Sequence, residues 1–125
     1  RLQARAFADV IACDIHPLNN LSPLGYLRRV FGADEQAISQ WYVEWIIRGF
    51  RALEEMAQAS SGKDFLYGET PGLAEITLVP QMANARRFKV DLAAFPRLVE
   101  VDAVCRGLEA FVLAAPENQP AAQSA

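Results

Sequence analysis

Residues 68–88 read GETPGLAEITLVPQMANARRF, and the part after Gly72 decides the fold. Projected at about 3.6 residues per turn, Leu73, Ile76, Leu78, Val79, Met82, Ala83, Ala85 and Phe88 spread right around a helix axis. A helix that is apolar all round is buried all round. The run is too short for a membrane span, which needs about 20 apolar residues. It is therefore expected to be the central post of an all-α domain, with other helices packed around it. Its start is well marked. Gly72 is a plausible N-cap, and Glu75 three residues on can fold back to the Gly72 amide. That is half of a capping box, because Gly72 has no hydroxyl to complete it. Pro80 falls about two turns inside the helix, where proline costs roughly 3 kcal/mol. Either the helix kinks there or packing outweighs the penalty.

Upstream, residues 60–64 (SSGKD) are a polar loop, and 65–67 return an apolar segment to the core. Residues 34–59 form the longest expected helix, capped by Asp34. Ile38, Tyr42, Trp45, Gly49, Leu53 and Met56 recur at helical spacing along it as an inner stripe. That spacing makes Trp41, Tyr42 and Trp45 core residues before it makes them a stacking site. Gly49 is expected to admit a neighbouring helix at close range. A short helix at 22–31 has Ser22 as its possible cap, Pro23 at its first position and Gly32 as its stop. Before it, His16 precedes Pro17, which biases it away from the helical region, and Asn19 and Asn20 favour a turn or cap.

Residues 1–15 read as the first helix. Leu2, Ala6, Val10 and Cys13 form one apolar band, and Ala4, Phe7, Ile11 and Ile15 another. An outer helix needs an apolar stripe of only about 100°, so the surplus implies contact with two bodies. The expectation is a homodimer or larger oligomer, or a further domain, meeting the chain at this helix through Val10 and Ile11. Asp14 falls inside the apolar arc. It is either hydrogen-bonded to nearby backbone or an orienting carboxylate at a domain seam.

Downstream, a short connection with Asp91 as a cap leads to a helix opened by Pro96. Leu98, Val101, Val104, Cys105 and Leu108 form its inner face, and Gly107 separates it from a last helix through Ala115. The expected organisation is one helical domain over 1–115 and a mobile tail over 116–125, poor in large apolar groups.

Composition bounds the function. The 125 residues make one domain with room for a core. The net charge is −3, and no run of basic residues exceeds two, which argues against nucleic acid as a partner. One histidine excludes a multi-histidine metal site and a histidine-based triad. No metal site and no membrane span are expected. Cys13 and Cys105 both fall in apolar patterns, as buried free thiols of a reducing, cytoplasmic compartment do. The chain opens on a helical pattern without Met, as a piece of something longer would.

LAEITLVPQMANARRFKVDL at 73–92, with ACDIHPLNNL at 12–21, resembles the all-helical C-terminal domain of zeta-class glutathione transferases. That class includes maleylacetoacetate isomerase and the bacterial maleylpyruvate isomerases. The resemblance covers about 1–120. It implies a glutathione-transferase C-terminal-like bundle from which the family's thioredoxin-like domain, with the glutathione site and the thiolate-activating motif, is absent. Family chemistry is cis–trans isomerisation of an unsaturated diketo acid: a glutathione thiolate adds, rotation ensues, and the thiolate leaves. Arg87 matches the family position associated with the substrate carboxylate, and a guanidinium fork suits a carboxylate. Without the resemblance, Arg86 and Arg87 read as a solvated helix end complementing the dipole. His16 reads as a surface histidine at a helix end, or as a polar contact bordering the substrate pocket. Many relatives carry Arg where Ser22 stands, so any carboxylate contact made there is lost here.

Two functions are compatible with these features. One is the substrate-side domain of a glutathione-dependent isomerase or transferase in aromatic catabolism, with no catalytic residue and no cofactor of its own expected in this segment. The alternative is a free-standing, non-catalytic interaction module with the same fold.

Overall fold

The computed structural model describes residues 1–120 and contains no strand among them. The chain runs through α1 (Leu2–Asp9), a π-helical segment (Val10–Ile15), α2 (Leu21–Phe31), α3 (Glu35–Gln58), α4 (Leu73–Arg87), α5 (Pro96–Arg106) and α6 (Glu109–Ala114), then a 3₁₀ turn at Pro116–Asn118. α4 is the central post. It packs against α1, the π-helical segment and α5, while α3 packs on the π-helical segment and α5 from the other side. Ala74, Leu78, Met82 and Ala85 of α4 meet Phe7, Ile11 and Ile15, then Ile46, Phe50 and Leu53 of α3, and Leu98, Val101 and Cys105 of α5.

One expectation about α4 is corrected. It is not buried on every side: Leu73, Ile76, Pro80, Ala83 and Arg87 form an exposed stripe at helical spacing. A projection counts apolar residues but does not show how many neighbours surround the helix. The stripe also explains Pro80. α4 runs unbroken from Leu73 to Arg87. The bond Pro80 lacks would go to the carbonyl of Ile76, and both residues lie on this solvent-facing stripe, where water can serve as the partner.

The entry to α4 is more tightly built than half a capping box. Glu75 is 2% exposed. Its Oε2 accepts from the Gly72 amide at 2.7 Å and its Oε1 from the Leu66 amide at 2.8 Å. One carboxylate closes the helix start and pins the returning segment 65–67. The exit is a Schellman turn. Val90 N–H donates to Ala85 O at 2.9 Å, Lys89 N–H donates to Arg86 O at 3.0 Å, and Lys89 takes the left-handed φ of 56°.

The first helix changes register at Val10. His16 N–H donates to the Ile11 carbonyl at 2.9 Å, a π-type bond. The band of Phe7, Ile11 and Ile15 still faces inward, whereas Cys13, expected inside, is exposed. Ile15 sits on Gly49, as close approach required: a Cβ at Gly49 would stand 2.3 Å from Ile15 Cδ1. Phe7, Ile11 and Ile15 are buried in the chain's own core and Val10 packs partly against it. The surplus apolar face is thus narrower than the two bands implied, and Leu2, Ala6 and Cys13 are what remain of it in the open. Asp14 is exposed, not bonded to nearby backbone among the described residues.

Asn20, not Ser22, caps α2, its Oδ1 accepting from the Leu21 amide at 2.8 Å; Gly32 ends that helix at φ 64°. Asp34 caps α3 through the Ala37 amide at 2.8 Å. α5 is capped from a distance. Glu54 of α3, itself buried, accepts from the amides of Arg97 and Leu98, both at 3.0 Å. After α6, the side chains of Asn118 and Gln119 donate to the carbonyls of Val112 and Leu113. The remaining residues of the expected tail, 121–125, lie outside the described residues.

Candidate substrate-binding site

The two adjacent arginines at the end of α4 have different surroundings. Arg86 turns to α5 and pairs with Asp102, which is fully buried. Arg106 donates to the same oxygen, Asp102 Oδ2, at 3.0 Å. Arg86 is therefore not a solvated end group, and what α5 places opposite it is invisible in the local sequence. Arg87 is exposed, and it makes no ion pair among the described residues. Its guanidinium carbon lies 5.8 Å from the centre of the Phe88 ring.

Phe88 in turn stacks on Tyr42 of α3, with ring centres 3.6 Å apart and planes within 10°. Tyr42 is half-buried, so it is neither wholly core nor free surface. Burial pushes its phenol up, and the nearby Arg87 charge partly opposes that. The hydroxyl thus stays protonated at neutral pH and is a donor.

His16 sits at the start of the turn that leads into α2. Its side chain is exposed and makes no hydrogen bond among the described residues. The turn itself is tied to α3. Trp41 Nε1 donates to the Leu18 carbonyl at 2.9 Å, and Asn19 Nδ2 donates to the Tyr42 carbonyl at 3.1 Å. The structure therefore brings the His16 turn and the Arg87 end of α4 to the same turn of α3, without joining the two side chains directly. Sequence reasoning placed Trp41 and Tyr42 in the core by their spacing. Their role in holding these two segments depends on contacts 23 and 46 residues apart in the chain.

Cys105 lacks the setting of a nucleophile. Cys105 is buried, and burial, with Glu75 and Asp102 nearby, pushes its thiol up to about 11. Among the described residues no three metal-ligating side chains cluster, and no helix is long and apolar enough to cross a membrane.

No protein-family profile matches the chain. The solved structure of a holo maleylpyruvate isomerase, a bacterial glutathione S-transferase of the zeta class, superposes with a TM-score of 0.93 at 48% identity, covering 96% of this chain and 57% of that one. A maleylacetoacetate isomerase from Anaeromyxobacter dehalogenans, with glutathione bound in its active site, superposes with a TM-score of 0.89 at 37% identity, covering 98% of this chain and 55% of that one. The fold is that of the helical C-terminal domain of a glutathione transferase. Within that class, the chain is homologous over 96% of its length to the maleylpyruvate and maleylacetoacetate isomerases. Maleylpyruvate isomerase of a Ralstonia species is 48% identical to it over 121 residues, and the chain spans 57% of that protein. It spans about half the length of the curated relatives it matches.

Proposed function

We propose that this segment is the substrate-side domain of a glutathione-dependent cis–trans isomerase of the maleylpyruvate or maleylacetoacetate type, in which Arg87 holds a substrate carboxylate. The observation that carries this is the contrast within one arginine pair. Arg86 is engaged by buried Asp102, whereas Arg87 stands exposed beside an aromatic pair with no ion-pair partner among the described residues. A guanidinium so placed suits a carboxylate that can be held bidentately. His16 adds a polar contact from the neighbouring turn.

Glutathione, when bound, supplies the thiol that adds to the substrate double bond. The residues around Arg87 fit a carboxylate, which the guanidinium can hold bidentately. Thiol activation is assigned to a thioredoxin-like domain outside this segment. The exposed apolar residues Leu73 and Ile76 on α4, with Leu2 on α1, suit a surface that such a domain covers. Assembly into a homodimer and a cytoplasmic location complete the proposal, the latter supported by two unpaired thiols.

The test is steady-state isomerisation of maleylpyruvate with glutathione by the intact protein. Arg87→Ala is expected to lower kcat/KM at least tenfold. Arg86→Ala should retain kcat/KM within about threefold yet melt earlier, because Asp102 stays buried with one partner fewer. Equal losses of kcat/KM from the two changes would show that Arg87 has no special role. No turnover by the intact wild-type protein would favour the non-catalytic interaction module.

A further inference from the structure

The Tyr42 hydroxyl has a place at this site that composition and homology leave unassigned. Tyr42 lies on α3 and meets two other segments. Phe88 stacks flat against its ring, and the Asn19 side-chain amide donates to its backbone carbonyl. The residue thus links the two segments that carry Arg87 and His16. Its hydroxyl makes no hydrogen bond among the described residues, although the residue is half-buried. Arg87 is the chain neighbour of the stacking partner, so the guanidinium and the phenol border the same stack.

We propose that the Tyr42 hydroxyl is a second donor to the carboxylate that Arg87 holds, making Tyr42 a substrate-contacting residue that sets affinity for the dicarboxylate. The inference rests on the Arg87 reading above. Physically, a lone guanidinium on an exposed helix end holds a carboxylate loosely, since water competes for both oxygens. A neutral donor on a rigid ring costs little conformational entropy to place and fixes the orientation of the anion. The raised phenol keeps its proton, so it contributes a donor and removes no positive charge from the site. Such a contact is made equally to substrate and to the transition state when the carboxylate is remote from the reacting double bond. It therefore acts on KM and not on kcat.

Tyr42→Phe keeps the ring stack and deletes only the hydroxyl. In the intact protein it is expected to raise KM for maleylpyruvate about fivefold, with kcat changed less than about twofold. The inhibition constant of malonate should rise in parallel, and the melting temperature should not move. A structural role for the hydroxyl would shift the melting temperature and leave the malonate constant alone. Unchanged KM in Tyr42→Phe, with KM raised tenfold or more in Arg87→Ala, would overturn this inference and leave the Arg87 site standing. Unchanged KM in both would overturn both. A fall in kcat at constant KM would also overturn it, because the hydroxyl would then act in the chemistry.

Discussion

Glu75 closes two backbone segments with one carboxylate, and that geometry sets its energetic weight. A capping side chain at an exposed helix start stabilises by about 1 kcal/mol. Here both carboxylate oxygens are engaged, by the Gly72 and Leu66 amides, in a site that excludes water. Removing the carboxylate leaves two amides without an acceptor, one of them buried. Glu75→Ala is therefore expected to destabilise by about 3 kcal/mol, read as a lower urea midpoint. A shift equivalent to less than about 1 kcal/mol would mean that water replaces the carboxylate at both amides. At the same scale, Arg86 and Arg87 are adjacent in sequence and opposite in role, because successive residues on a helix point about 100° apart. One direction ends on Asp102 of α5 and the other on solvent.

Elements meet here at a few positions that tolerate no extra volume. Gly49 of α3 lies under Ile15, the last residue of the π-helical segment, and Ile15 is fully buried. Ile15 ends the π-helical segment, and the missing Cβ at Gly49 makes room for its side chain. Gly49→Ala gains helix propensity of up to about 1 kcal/mol but forces Ile15 out of place, and overpacking typically costs about 1–3 kcal/mol. A net loss of about 1 to 2 kcal/mol is expected in denaturant melts. Ile15→Val in the Gly49→Ala background should recover part of it, giving a coupling that additive sites would not show. A more stable Gly49→Ala protein would mean that the segment has slack. α5 illustrates the complementary case. Its N-terminus carries no capping side chain of its own, and Glu54 reaches it from α3.

Across the whole molecule, apolar surface is distributed unevenly. Leu73 and Ile76 on α4 and Leu21, Val30 and Phe31 on α2 are exposed, while Ile11 is inside and Val10 half-buried. Glutamate at Val10 or Ile11 would therefore disturb the core and report on folding, not on assembly. Ile76 is the better probe of an uncovered surface. The 125-residue chain is expected to bind a hydrophobic dye, and Leu73→Lys with Ile76→Lys should lower dye fluorescence at least about twofold. Helical content by circular dichroism should stay unchanged, because both side chains lie outside the buried core of the described residues. Undiminished fluorescence would place the dye-binding surface elsewhere, with α2 as the next region to alter.

The all-α class, the central position of α4, the caps at Asp34 and Gly72, the stop at Gly32 and the close approach at Gly49 were all legible in the sequence. Each depends on local spacing or on one residue's backbone chemistry, which the chain carries in itself. The zeta-class resemblance rested on two short motifs, and homology over 96% of the chain bears it out. Other features needed the tertiary structure. The exposure of Cys13, the open stripe on α4, the engagement of Arg86 by Asp102 and the remote cap from Glu54 all depend on what stands opposite. A helical projection gives the direction of a side chain but not the identity of its neighbour. The Arg87–Phe88–Tyr42 arrangement is of this second kind, since it joins residues 42 and 88 only when α3 and the end of α4 are packed together.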